Sequence, residues 1–600
     1  MDRDGLSGFE LAVAAVAGVG ALLVGVVWAG AWLALLMAGS PHAVSLDDSL
    51  EALTRLPAHR GDPAGAWPDP LGRQLPGAHV YWGCTGLIAL LVAALVGLAV
   101  RHLPWGRVGS DRRRPLGVDA RPRFASHRDL SPVLVRRATP GRFSTARYGR
   151  HLVATEAPQP GRGGRRRAGD RGAVALIGPS RCGKTTAAVA GLLEWDGPVI
   201  ASSVKADLLA VTGGWRTTVG DVRVYDPTGS TVDGGCAAVW SPVDQAATGQ
   251  GAQRAARALC DAAPRSGVEG GLDFWLAQAE ILLSGLLFVA HHAHRDMGAV
   301  CEWILLQDFP GEAGPGEVRT TLDILLDHGD DAVAAGASDA AKSLLAVWEM
   351  DERTRSSVYA TAQTLVWPWS DPGVAASSRS LGKSRPVDLD WLLDGANTLY
   401  LCAPLEDQQR LAPAFGGVLN DLIGQVYRRV AATGRPLEPP LLVLVDEAGN
   451  TPLRALPAYA STLAGLGVLL VTVWQSLAQI EAAYGRSADT ILTNHLTKVI
   501  YAGLSDDASL RYAGQLLGEA EVTSRSRTHG EGGGRGSEQV STVHTAMAPA
   551  HVLRQMRRGD ALLVHGTLPP AHVQARPFYR SRTLRDRAAL PWPPLPVAAR

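Results

Sequence analysis

Two long runs without a single charge dominate the start of the chain, at residues 11–38 and 82–100. Each is close to the length of about 20 residues that a helix needs to cross a bilayer. The competing reading of the first run, a cleaved signal peptide, calls for a shorter apolar core behind a basic start, whereas this chain begins Met1-Asp2-Arg3-Asp4. Residues 39–81, between the runs, are Pro-rich and mixed in charge. Farther on, the pattern changes to short strand-like runs at 173–177, 198–201, 222–225, 397–401, 441–445 and 468–473, and later at 496–502 and 561–565. Buried strands alternating with helical stretches predict a parallel sheet with crossover helices. From about 252 to 381 the period is helical and strand-like runs are few, so an all-α insertion is expected there. Residues 524–542 are polar and Gly-rich and are expected to form a mobile loop.

Two of the predicted strands end in chemistry. The run 173–177 leads into Gly178-Pro179-Ser180-Arg181-Cys182-Gly183-Lys184-Thr185, a complete GxxxxGK[ST] phosphate loop, with Thr186 next in a predicted helix. Glycines let the backbone turn so that its N–H groups wrap a phosphate chain, and the helix N-terminus adds further donors. Lys184 is placed to reach the β- and γ-phosphates of ATP, and Thr185 to offer its hydroxyl to Mg2+. The run 441–445 ends in Asp446-Glu447, 262 positions after Lys184. Asp446 can hold Mg2+, and Glu447 can act as the general base on the attacking water. The strand 468–473 is followed by Trp474-Gln475-Ser476. Gln475 at that tip is either a sensor of the γ-phosphate or a surface residue at a strand end.

Composition refines this picture only in places. The net charge of the 600 residues is +1 and says nothing about partners, and the apolar fraction of 46% is ample for large cores. Lys occurs only at 184, 205, 342, 383 and 498, which makes a chance lysine in the phosphate loop improbable. Six scattered cysteines, with no CxxC pair, suggest neither a disulfide framework nor a zinc site. Residues 101–167 hold 17 Arg against four carboxylates. By the positive-inside tendency they lie in the cytoplasm, together with both termini. This basic stretch serves either topology and anionic lipid or nucleic-acid phosphates.

Further stretches carry a family resemblance. They are Ser202-Ser203-Val204-Lys205-Ala206-Asp207-Leu208, Val224-Tyr225-Asp226-Pro227, Trp240-Ser241-Pro242 and Asp273-Phe274-Trp275. More specific are Asp446-Glu447-Ala448-Gly449-Asn450 and Trp474-Gln475-Ser476-Leu477-Ala478-Gln479. With these, the chain resembles the type IV secretion coupling proteins, the TraG/TraD-like conjugative DNA-transfer ATPases, over about 171–580. The resemblance implies an α/β, RecA-like P-loop NTPase domain with an all-α insertion, preceded by two transmembrane helices. It implies a homo-hexamer in the plasma membrane, with DNA (a relaxase-bound single strand), the relaxase and secretion-channel proteins as partners. It assigns Gly178, Pro179, Ser180, Arg181, Cys182, Gly183, Lys184, Thr185 and Thr186 to the nucleotide, Thr185 and Asp446 to Mg2+, and Glu447, Lys184 and Gln475 to catalysis. The chain departs from family members that carry an Arg between the two specific stretches, since 462–467 has none. Arg454 and Arg511 are the candidate replacements.

The expected organisation is a membrane anchor over 1–105, a basic cytoplasmic linker over 106–170 and a nucleotide-binding domain over 171–250 and 386–600, interrupted by the insertion over 251–385. An ABC-type transporter subunit is disfavoured by the wide gap between the motifs. An FtsK-like DNA translocase and a non-hydrolysing membrane scaffold with a vestigial site are the alternatives.

Overall fold

The computed structural model describes residues 8–40, 43–102, 122–156, 172–203, 207–229, 237–263, 272–311, 314–379, 385–402, 407–450, 453–528 and 537–592. The chain forms two compact units, 1–120 and 121–600.

In the first unit, the two uncharged runs are the helices Gly8–Met37 and Ala78–His102. The intervening stretch is ordered by its own small core. The helix Leu46–Arg55 is capped by Ser45, whose hydroxyl accepts from the Asp48 N–H at 3.0 Å. Trp67, Tyr81, Leu71 and Ala52 are buried with Ala31 and Leu35, and the Trp67 indole donates to the Tyr81 hydroxyl at 3.3 Å.

The second unit is built on a sheet of twelve strands. In chain order the strands of this unit are β1 (Leu134–Val135), β2 (Ser144–Tyr148), β3 (His151–Ala154), β4 (Val174–Ile177), β5 (Val199–Ser203), β6 (Val222–Tyr225), β7 (Ala238–Val239), β8 (Arg385–Pro386), β9 (Thr398–Cys402), β10 (Leu441–Val445), β11 (Val468–Trp474), β12 (Thr497–Tyr501), β13 (Glu519–Thr528), β14 (Ser537–Ala546), β15 (Asp560–His565) and β16 (Ala571–Gln574). The order across the sheet is β1-β3-β2-β16-β15-β12-β4-β11-β10-β5-β9-β6. From β12 to β6 every pairing is parallel. The strands of this centre are mostly apolar because both faces are covered. Along β10, Leu441, Val443 and Val445 enter one core, and Leu442 and Leu444 enter the other.

The helical stretch contributes heavily to the core that Leu441 enters. Its longest element, Leu272–His292, buries Leu282, Leu283, Leu286, Leu287 and Phe288. By length and composition alone this helix, like Gly20–Met37 and Ala78–Val96, could cross a membrane. More than half of it is already covered by protein, so its apolarity is accounted for by packing. Short polar side chains start the neighbouring helices, as their preference for caps dictates. Asp296 accepts from the Ala299 N–H, Asp330 from the Ala332 N–H and Asp351 from the Thr354 N–H, at 3.0, 2.8 and 3.0 Å.

Two stretches differ from the sequence expectation. The residues expected as a basic linker over 106–170 include β1, β2 and β3, which extend the sheet at the β16 edge. Phe143, Ala146 and Val153 are buried there, so local apolar alternation outweighs the arginines around it. The rest of that basic stretch, 106–121 and 157–170, lies outside the described residues. The polar stretch 524–542 is expected as a mobile loop, yet on either side of 529–536, which lie outside the described residues, β13 and β14 pair antiparallel from Glu519↔Ala546 to Thr528↔Ser537. Backbone pairing and β-branched Val and Thr residues favour strands despite the polar composition.

Candidate functional site

The sheet order brings the separated motifs together at the carboxyl ends of the central strands. The phosphate loop leaves β4, Gln475 leaves β11 and Asp446-Glu447 leave β10, and β11 lies between the other two. The loop is tied to β11 by the Gly178 N–H donating to the Trp474 carbonyl at 3.1 Å. Gly183 caps the helix Lys184–Glu194 with a φ of 110°, a left-handed conformation open mainly to glycine. Arg181 also has a positive φ, 64°.

All the sequence-predicted site residues meet in or beside one cleft of about 790 Å3. Thr185 donates its hydroxyl to Asp446 Oδ2 at 3.4 Å, closing a gap of 261 residues in the chain. The Lys184 ammonium is folded onto the carbonyl oxygens of Gly178 and Pro179, the latter at 2.8 Å. Burial pushes its pKa down, against the raising influence of Cys182, Asp446 and Glu447. Burial also pushes the Cys182 thiol up, so this cysteine is a neutral packing residue of the loop. Thr186 donates to the Gly183 carbonyl at 2.8 Å.

Asp446 is buried, and desolvation followed by the neighbouring Glu447 pushes its carboxyl up to about 6. A buried carboxylate beside a threonine hydroxyl is an oxygen donor set suited to Mg2+, with room in the cleft for water and phosphate oxygens. Glu447 sits at φ 52°, in the left-handed region. Its Oε2 accepts from the Asn450 amide at 2.7 Å. Gln475 is positioned through its backbone, whose N–H donates to Gln479 Oε1 at 2.9 Å, while Ser476 caps the following helix by accepting from the Gln479 N–H at 3.2 Å. The last residue of the Asp446–Asn450 stretch therefore orients Glu447, and the last residue of the Gln475–Gln479 stretch orients Gln475.

The sequence reading missed one wall of the cleft. Arg558, Ala575, Pro577, Tyr579 and Arg580 line it, and Ser203 and Asp207 line the cleft on the β5 side. Ser203 and Asp207 lie within a stretch already noted for its resemblance. Nothing local marks Tyr579 or Arg580, which reach the cleft only because β16 returns beside β15. Of the two candidate replacement arginines, Arg454 is paired with Asp273 and Arg511 with Asp507, and neither lines the cleft.

Residues 142–592 match the family described as type IV secretory system conjugative DNA transfer. Among curated relatives, a conjugal transfer protein TraG of Escherichia coli is 22% identical over 454 residues, spanning 70% of this chain and 69% of that protein. A second Escherichia coli TraG is 24% identical over 341 residues, or 54% of this chain and 51% of that protein. Among solved structures, the bacterial conjugative coupling protein TrwBdeltaN70, in its trigonal form with sulphate, aligns with a TM-score of 0.50 and 16% identity. That alignment spans 70% of this chain and 90% of the other, and it supports the shared α/β NTPase fold. With the family match running from β2 to the end of the described residues, this chain belongs to the type IV secretory system conjugative DNA transfer family.

Proposed function

We propose that this coupling protein hydrolyses ATP and uses the energy to move DNA, as a relaxase-bound single strand, or protein substrates toward a type IV secretion channel. The observation that carries the hydrolytic reading is the convergence of Thr185, Asp446, Glu447 and Gln475 on the phosphate loop in one cleft. The Asn450 bond to Glu447 and the Gln479 bond to Gln475 hold both residues in the cleft and support the hydrolytic reading.

On this reading Lys184 exchanges the carbonyl oxygens of Gly178 and Pro179 for the β- and γ-phosphates. Thr185 and Asp446 hold Mg2+, which when bound offsets charge on the phosphate oxygens. Glu447, held by Asn450, accepts the proton of the attacking water, and Gln475 reports the γ-phosphate at the β11 tip. The helices within 11–38 and 82–100 anchor the chain in the plasma membrane with both termini cytoplasmic. Six copies form a ring, with the nucleotide-binding domain over 171–250 and 386–600 and the helical insertion over 251–385. Contact with DNA runs through its phosphates and weakens with salt.

ATP turnover by the full chain in detergent tests this, with and without single-stranded DNA, beside Lys184→Ala and Glu447→Gln. Turnover that rises with DNA and disappears in both variants supports the reading. A parent protein that binds ATP without hydrolysing it, with or without DNA, is the result expected of a scaffold.

A further inference from the structure

The cleft of about 790 Å3 has a wall that neither nucleotide motif supplies. The end carrying Asp446, Glu447 and Gln475 faces the γ-phosphate, because Thr185 meets Asp446 there. Sheet order assigns the opposite wall. β11 and β10 lie to one side of β4, while β12, β15 and β16 lie to the other. The segment leaving β16 therefore borders the phosphate loop from the far side, and a Cβ placed on Gly183 would lie 3.8 Å from that of Ala575. The sugar and base of a nucleotide held by the loop must leave toward this wall.

Tyr579 is the aromatic residue of that wall, and it is 53% exposed. Its ring meets Phe578 edge to face, with centroids 5.6 Å apart. Yet the segment bearing it is firmly held. Arg576 is buried and pairs with Glu194 through both terminal guanidinium nitrogens. Downstream, Arg587 donates to the Leu193 carbonyl at 2.6 Å and lies over the Trp215 ring at 4.2 Å. Glu194 and Leu193 close the helix that begins at Lys184. The wall is thus fastened to the phosphate-binding helix itself, which holds the Tyr579 backbone near the phosphate loop. A rigidly mounted aromatic with a solvated face, at the end of a phosphate site, has the geometry of a base-stacking platform.

We propose that Tyr579 stacks on the nucleobase, making the segment after β16 the base-binding half of the nucleotide site. The inference rests on the nucleotide-binding reading above and adds to it a contact outside both nucleotide motifs. Calorimetric titration of the full chain in detergent with Mg2+ and either ATP or inorganic tripolyphosphate tests it. Tyr579→Ala is expected to weaken ATP about tenfold, the scale of losing one base–aromatic stack, and to leave tripolyphosphate unchanged. Tyr579→Phe is expected to bind ATP as the parent does. ATP affinity in Tyr579→Ala within about twofold of the parent overturns the inference and leaves the phosphate site standing. Equal losses for both ligands also overturn it, since they mean the variant acts through the fold. A parent that binds neither ligand overturns the nucleotide reading and this inference with it.

Discussion

Gly449 and Gln479 interlock: a Cβ placed on Gly449 would lie 2.1 Å from the side-chain amide carbon of Gln479. The same amide oxygen accepts from the Gln475 N–H. The two stretches most specific to the family thus touch at this point, through a contact that leaves no room for a methyl group unless Gln479 moves. Gly449→Ala pushes against the end of a flexible side chain, so folding is expected to change little. Gln475 loses its support, and turnover is expected to fall about tenfold or more at nearly constant KM, which marks a group acting in the transition state. Steady-state kinetics check this. Adding Gln479→Ala to Gly449→Ala is expected to cost far less than the two single losses combined.

Asp446 makes stability depend on pH in a direction opposite to that of most carboxylates. Its folded pKa of about 6 lies above the unfolded value, so between about 4 and 6 the folded chain holds a proton that the unfolded chain has released. The contribution favours folding at the acid end and is lost as pH rises through 6. Asp446→Asn escapes that loss. In EDTA and without nucleotide, the variant is expected to exceed the parent in stability at pH 8 by up to about 3 kcal/mol, with the difference closing toward pH 4. Denaturant titrations at the two pH values measure it, and a difference that does not vary with pH contradicts the assignment.

Arg216 is fully buried and donates to Thr398 Oγ1 and to the carbonyl oxygens of Trp195, Gly197 and Ala396, at 2.7, 2.7, 2.9 and 2.8 Å. It ties the end of the phosphate-binding helix to the strands β5 and β9. Burial lowers its pKa to about 10, which leaves the charge in place at neutral pH. Lysine keeps the charge and cannot reach four acceptors from one ammonium. Arg216→Lys is expected to destabilise the fold by about 2–4 kcal/mol, since buried carbonyls are left unpaired. Thermal unfolding reads this as a lower Tm, and an unchanged Tm refutes it.

Gly214 sits inside the helix Asp207–Val219, where alanine is ordinarily better by about 1 kcal/mol. Here a Cβ would lie 2.2 Å from the backbone oxygen of Leu590. The obstacle is main chain, which cannot rotate away. Gly214→Ala is therefore expected to destabilise, with the sign reversed from helix propensity, and to lift the C-terminal segment from the helix. Limited proteolysis around residue 590 checks the second effect, and faster cleavage in the variant is expected.

The phosphate loop, the Asp446-Glu447 pair and the Gln475 tip were legible in the sequence because each is a contiguous strand-to-loop signal, and a strand that ends in a given residue presents it at the carboxyl end of the sheet in any fold of this class. The two uncharged runs were legible for the same local reason, as was the helical period of 252–381. The base-side wall at Tyr579, the lock between Gly449 and Gln479, the joining of β1, β2 and β3 to the sheet and the pairing of β13 with β14 were not. Each depends on which segments lie beside one another in the folded chain, and the joining of β2 to β16, hundreds of residues away, is selected by shared burial on the sheet. Tyr579 is an unremarkable surface tyrosine until β16 returns beside β15. Thr472 shows the same division, since it reads as one more strand residue. Only the fold reveals it buried, accepting from the Trp474 indole at 2.8 Å and hydrogen-bonded to His495 Nε2 at 2.9 Å. Local chemistry is written in consecutive residues, whereas the partners that complete it are chosen by packing.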